Sequence, residues 1–296
     1  ERFARYGDLM TRAGDQLLRI AEFYGERNLF ERKDAIYDLF FDLYPRHTRA
    51  PGSLMRYGNN KFEQGDYKGA LPYFKRLAEG YPESSLSDEA MNLTAICHSK
   101  LGDTVAEVKA LDALIEKLEK KGRPGATYIN ARYRLAAAYK DLGERYIPAA
   151  LNRFHKVVQL LSDPEAAFHS NPEEAKANQK ILEGALFYKG VCYAMLQKPK
   201  NKLSTYKLLG IKTLQELVEK YPQSEFAPPA LSQVGTLWTV LKKPDEAQKA
   251  LRLLQEKYPG SKEARNALFM LGRNLLELGM KQQATRVFRD MFAAGG

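Results

Sequence analysis

Cysteine is nearly missing from this chain: Cys97 and Cys192 are its only two in 296 residues. Each falls in the first helix of an expected hairpin, where small residues pack. They read as buried free thiols, because a disulfide needs Cα atoms within about 7 Å and hairpins two apart in a stack lie farther than that. Tryptophan is reduced to one residue, Trp238. No apolar run approaches the roughly 18 residues of a membrane span, and no signal-type segment opens the chain. Glu1 stands where an initiator methionine would be, which fits an internal piece of a longer chain or a form stripped of a targeting segment. The four histidines, His47, His98, His155 and His169, are scattered, with no partner ligand at metal-site spacing. No phosphate loop, nucleophile elbow or catalytic acid pair stands out, so neither a cofactor nor an enzymatic activity is expected. Runs of β-branched residues are rare, which argues against strands.

What the chain does have is a period. Tyr-Pro recurs at Tyr44-Pro45, Tyr81-Pro82, Tyr221-Pro222 and Tyr258-Pro259, and within each half of that set the copies are 37 residues apart. A fixed period of about 34 to 40 residues closed by a helix-ending proline indicates stacked helical hairpins. The abundance of Leu, Ala, Lys, Glu and Arg supports helices throughout. A single core of this size would be near its limit, whereas hairpins that bury their faces on neighbours escape it.

Seven units can be aligned. The clearest runs from Leu54 to Pro82 through Gly58, Gly65, Asp66, Tyr67, Ala70 and Phe74. Its spacing returns as Gly235, Trp238, Ala247, Leu251 and Pro259, then as Gly272, Leu275, Gly279, Ala284 and Phe288. Residues 88–122 keep Ala95, Gly102, Leu111 and Leu114. Residues 127–163 keep Ala136, Tyr139, Gly143, Ala150 and Phe154 but need about two extra residues near Tyr146-Ile147-Pro148. The unit from Gly190 to Pro222 is about eight residues too long, with the surplus in its turn around 197–210. An N-terminal unit ending at Pro45 fits through Tyr24, Ala35 and Leu39. A polar connector at 162–172 separates residues 1–161, carrying four units, from residues 173–296, carrying three. Asn171-Pro172-Glu173-Glu174 reads as a helix start.

The unit at 54–82 resembles a tetratricopeptide repeat (TPR). The resemblance implies an all-α, right-handed superhelical solenoid of about seven helix hairpins, serving as a non-enzymatic scaffold for other proteins. In it Gly58 lets the first helix approach the second, Gly65 and Asp66 make the turn, and Ala70 sits where the helices cross. The endings Pro82-Glu83-Ser84, Pro222-Gln223-Ser224 and Pro259-Gly260-Ser261 resemble those of TPR proteins of the diderm bacterial envelope, of the outer-membrane-assembly lipoprotein and Tol-Pal-associated periplasmic types. That likeness implies a periplasmic or outer-membrane-associated place, the alternative being cytoplasmic.

On the inner face of the first helices the alignment places Met55, Asn59, Phe62, Asn92, Tyr133, Arg134 and Lys140. This mixture suits a partner helix or peptide anchored on Phe62 and Tyr133. Met55 stands where a carboxylate clamp would need lysine, so that form of capture is not expected. Net charge is +10. Residues 1–50 are balanced, whereas Lys198, Lys200, Lys202, Lys207 and Lys212 occupy a stretch without an acid, with Tyr206 among them. This insertion is a candidate contact loop for protein partners or acidic surfaces. The alternative is a basic surface for nucleic acid or anionic lipid headgroups. Most of the 17 tyrosines have packing or turn posts in the alignment, which argues against an RNA-stacking surface.

Overall fold

The structure, a computed structural model, describes residues 2–122, 125–163 and 172–294. Among the described residues there are fourteen α-helices and no strand. They group into two compact units, Glu1–Asp103 and Thr104–Gly296. The first holds α1 (Arg2–Glu26), α2 (Phe30–Leu43), α3 (Ala50–Glu63), α4 (Tyr67–Gly80) and α5 (Ser87–Lys100). The second opens with α6 (Thr104–Lys120), α7 (Ala126–Asp141), α8 (Ile147–Leu161), α9 (Pro172–Met195) and α10 (Leu203–Lys220). It closes with α11 (Ala227–Val240), α12 (Pro244–Lys257), α13 (Lys262–Glu277) and α14 (Lys281–Ala294). The division between units falls at Asp103, while the connector expected at 162–172 lies inside the second unit. Positions 164–171 of that connector, Asn171 included, are outside the described residues. The helices on either side of it, α8 and α9, pack on each other.

Two hairpins show how the residues that the spacing singled out close a helix pair. At Gly58 a Cβ would lie 2.6 Å from the Phe74 ring, and at Gly272 it would lie 2.6 Å from Phe288. Only glycine lets the two helices come this close. The turn after α3 bends through Gly65 at φ +79°, a backbone that other residues adopt at a cost. Asp66 then caps α4, its carboxylate accepting the Gly69 N–H at 2.8 Å.

The Tyr-Pro endings form a common turn. The Ser84, Ser224 and Ser261 N–H groups donate to the carbonyls of Tyr81, Tyr221 and Tyr258. The serine hydroxyl oxygens then accept amides where the next helix begins, from Leu86 and Phe226 just before α5 and α11 and from Ala264 in the first turn of α13. After Tyr44-Pro45 the serine is replaced by His47. Its Nδ1 accepts the Arg49 N–H at 3.1 Å and its Nε2 donates to the Thr11 carbonyl at 3.1 Å, so a buried imidazole takes over the cap.

The N-terminal pair differs from its alignment. Ala35 and Leu39 are exposed, and α2 buries Tyr37, Phe40 and Phe41 instead. On that face Phe40 reaches Gly14 of α1, while Tyr37 and Phe41 meet Tyr57 of α3 and Tyr73 of α4, so the expected face was turned away from the core.

In the second unit α7, α9, α11 and α13 each touch the next, which makes the first helices of successive hairpins one continuous layer. Side chains such as Phe154, Leu214 and Leu254 are fully buried beside it. Each such side chain contributes roughly 1.5–3 kcal/mol of transfer free energy.

Candidate partner-binding surfaces

In the first unit, little of the expected inner face is open. Met55 is 7% exposed and belongs to the core cluster, so it is not available to a partner. Phe62 packs against that core with its ring edge-on to Tyr67 (5.1 Å between centroids) and Phe74 (6.4 Å). Asn59 and Asn92 are half-buried. The reason is local: α3 is flanked by aromatic side chains of α2 and α4, with Tyr57 stacked on Tyr37 and edge-on to Tyr73. Around them Lys61 bonds Asp34 at 2.9 Å, Arg56 bonds Glu22 at 2.8 Å and Tyr73 donates to Asp38 at 3.0 Å.

In the second unit, Tyr133 is part of an aromatic run. Its ring meets Phe154 and Tyr188, and Phe226 closes on Tyr188. Desolvation raises the Tyr133 phenol well above its ordinary pKa, with the charges of Tyr188 and Glu225 adding to the effect. Arg134 is turned inward to Glu107 at 2.8 Å, with side-chain exposures of 18% and 9%. Lys140 lies 5.4 Å from the Tyr188 ring centroid and is paired with Asp141. Tyr133 and Lys140 thus meet α9 through Tyr188, and Arg134 ties α7 to α6.

The alignment also marks positions that sequence reasoning passed over. Met55, Asn59 and Phe62 sit three before, one after and four after the helix-packing glycine. In the last unit the same register gives Phe269, Arg273 and Leu276 around Gly272. Phe269 is 52% and Leu276 48% exposed, and Val240 of the neighbouring α11 is 59% exposed. Ser232, Thr236 and Thr239 occupy the register on α11 and are half-buried. Asn274 reaches across from α13 to Thr239 at 2.9 Å. The signal was present in the repeat pattern, since the offset of Met55 from Gly58, applied at Gly272, lands on Phe269.

The basic insertion splits into used and unused lysines. Relative to the other hairpins its surplus is shared, with seven residues in the turn at 196–202 against three at 64–66, and 18 residues in α10 against 14 in α4. Lys198, Lys200, Lys202 and Lys212 are exposed. Lys207 is not: its ammonium donates to the Ala194 carbonyl near the end of α9, and burial lowers its pKa. Tyr206 is half-buried. The same turn meets the irregular turn of the preceding hairpin, where a 3-10 stretch at Glu144–Tyr146 precedes α8. Gln197 donates to Glu144 at 2.8 Å, and a cleft of about 390 Å³ opens between the two turns.

Both cysteines are buried and free. Desolvation raises Cys97 to about 11 and Cys192 to about 12, the latter against the opposing charge of Lys140. Neither is a poised nucleophile. Among the described residues no cluster of His, Cys, Asp and Glu could hold a metal ion, and no helix is long and apolar enough to cross a membrane.

The class that this fold defines is an all-α solenoid of paired helices. Two of its units, residues 53–84 and 230–261, match the family model of the tetratricopeptide repeat, each match ending on the serine that follows a Tyr-Pro turn. Solved structures agree in fold. The assembly chaperone of RpL4 (Acl4, residues 1–338) aligns with a TM-score of 0.53 at 17% identity over 82% of this chain and 90% of that one. MamA from Desulfovibrio magneticus RS-1 aligns with 0.50 at 16% identity over 72% and 97%. The nearly identical TPR-like repeats of a Podosopora anserina protein align with 0.50 at 13% identity over 73% and 100%. No curated protein matches the chain significantly. The all-helical solenoid of stacked hairpins expected from the period is the fold observed, and the solved structures it resembles include TPR repeat proteins.

Proposed function

We propose that the protein is a non-enzymatic scaffold that docks other proteins on the first-helix face of its second unit, as a component of a bacterial cell-envelope complex. The observation that carries the docking reading is the pair Phe269 and Leu276. They are half-exposed apolar side chains one helical turn to either side of Arg273, in the register that the alignment assigns to the inner face. An amphipathic helix or extended segment of a partner can bury both while polar groups fix its register. The Tyr-Pro-x-Ser endings support the envelope setting, through their likeness to periplasmic and outer-membrane-associated TPR proteins.

The test is affinity capture with crosslinking from membrane and soluble fractions of the native organism, comparing the natural chain with Phe269→Glu. Envelope proteins crosslinked near α13 and lost in the variant, with an unchanged melting temperature, are the expected result. Partners that are indifferent to Phe269→Glu would remove this face from the reading. Exclusively soluble cytoplasmic partners would remove the envelope setting.

A second reading has its own observation: Lys198, Lys200 and Lys202 stand exposed within five residues, a density of charge that attracts phosphate. Capture of nucleic acid or anionic lipid that collapses between low and high salt would favour that reading.

A further inference from the structure

The two places where the repeat pattern breaks within the second unit are next to each other in space. The extra residues of the fourth hairpin form the 3-10 turn at Glu144–Tyr146, and about half of those of the fifth lengthen the turn at 196–202. The Gln197 amide bonds Glu144 Oε1 at 2.8 Å and ties the two together. Between them lies the cleft of about 390 Å³. Its wall is apolar where Ile147 and Pro148 of α8 face Met195 and Leu196 at the end of α9. Met195 is 37% exposed, so part of that apolar surface faces solvent.

The rim is basic. Arg145 and Lys198 line the opening, and Lys200 and Lys202 continue from it, all exposed. No acidic residue occurs from Leu196 to Gln215. The one carboxylate in the lining, Glu144, already accepts the Gln197 amide. Lys207 is spent on the Ala194 carbonyl, which leaves Lys198, Lys200 and Lys202 as the exposed lysines of the turn that borders the cleft.

We infer that this cleft docks an acidic, extended segment of a partner protein, with one apolar side chain seated between Pro148 and Met195 and flanking carboxylates on Arg145, Lys198, Lys200 and Lys202. The charge at the rim decides the occupant, because exposed ammonium and guanidinium groups attract and orient a carboxylate-rich segment while rejecting a basic one. The apolar wall favours a peptide over a phosphate chain, which has no side chain to place there. This inference deepens the scaffold reading and rests on it, adding a second docking place on the turn edge of the unit.

The test uses the intact chain and an array of short peptides in which one Leu, Met or Phe is flanked by Asp and Glu. Binding is read by fluorescence anisotropy at physiological salt, and the contact region by hydrogen exchange. Expected is binding that protects 144–148 and 195–202. It should weaken about tenfold in Lys198→Glu/Lys200→Glu/Lys202→Glu, in Met195→Glu, and when the apolar residue of the peptide becomes Ser. Phe269→Glu is expected to leave the peptide affinity unchanged.

An array without a binder that shows these dependences overturns the inference. So does a lysine-dependent affinity for an oligothymidine or for phosphatidylglycerol vesicles in the absence of peptide binding. Peptide binding that is lost in Phe269→Glu moves the docking to the first-helix face and overturns the cleft alone. Failure of the scaffold reading shows separately, as a lack of crosslinked proteins in the capture experiment.

Discussion

The Tyr258 hydroxyl donates a 2.8 Å hydrogen bond to the Pro222 carbonyl, linking one Tyr-Pro turn to the turn of the preceding unit. Tyr81 donates to the Pro45 carbonyl in the same way. Tyr44 and Tyr221 have no earlier Tyr-Pro turn one period away, and neither hydroxyl makes a hydrogen bond among the described residues. The 37-residue recurrence is thus the footprint of a turn-to-turn bond.

Removing that bond should cost a defined amount. Tyr258→Phe is expected to lose about 1 kcal/mol, the usual net value of one hydrogen bond, and to lower the melting temperature by roughly 2–4 °C. Tyr221→Phe should leave it unchanged. Equal losses in the two variants would show that the ring, not the hydroxyl, matters.

Gly272 tests the close helix approach. Gly272→Leu places side-chain atoms where the Phe288 ring already stands 2.6 Å from a Cβ. Overpacking of this kind costs roughly 1–3 kcal/mol, so thermal unfolding should begin several degrees lower. Gly260→Ala is the control, because a Cβ there meets nothing within 4 Å. A Gly272→Leu protein that melts like the natural one would undo the alignment of the last hairpin.

Lys242 offers a gain. It holds φ +58° in the turn between α11 and α12, the place that Gly65 and Gly279 take in their hairpins. A left-handed backbone strains an L side chain by roughly 1–2 kcal/mol, so Lys242→Gly is expected to stabilise the protein, less the extra chain entropy of glycine. Differential scanning calorimetry of the pair decides it, and a lower melting temperature in the variant counts against the strain.

Arg134 separates a structural role from a binding role. Arg134→Met leaves Glu107 nearly buried without its partner at 2.8 Å, a change expected to cost about 3 kcal/mol in denaturant titrations. Were Arg134 instead a partner contact, the variant would keep its stability and lose the partner.

Alkaline pH should weaken the fold. Desolvation raises the phenols of Tyr73 and Tyr133 above the ordinary value near 10, with Asp38 adding to the shift of Tyr73. A raised folded-state pKa means that the native state holds the proton more tightly than the unfolded chain. The stability is therefore complete below about pH 10 and is lost as pH rises through the folded values. Melting temperatures measured from pH 8 to 12 should fall beyond about pH 10, more steeply in the natural chain than in Tyr73→Phe/Tyr133→Phe. Parallel curves would assign the alkaline loss to other groups.

Much of the fold was legible because close helix packing demands particular residues at particular spacings. Gly58 and Phe74 lie 16 residues apart, as do Gly235 with Leu251 and Gly272 with Phe288, and each pair meets in the structure. In the lengthened hairpin the meeting pair is Gly190 with Leu214, 24 residues apart, which recovers the surplus of eight. The candidate surface was less legible. Met55 and Phe269 hold the same register, yet one is 7% and the other 52% exposed. A single-chain pattern records which way a side chain points, not which neighbour covers it.

The sequence alone determined the period, the glycine positions where paired helices approach and the length of the insertion, because each follows from local steric demands within one repeat. The tertiary structure decided the rest. It buried Met55, turned Arg134 onto Glu107, spent Lys207 on a helix end and brought two irregular turns together around a cleft. Those outcomes depend on which helices become neighbours, and burial and charge pairing are properties of neighbours rather than of spacing.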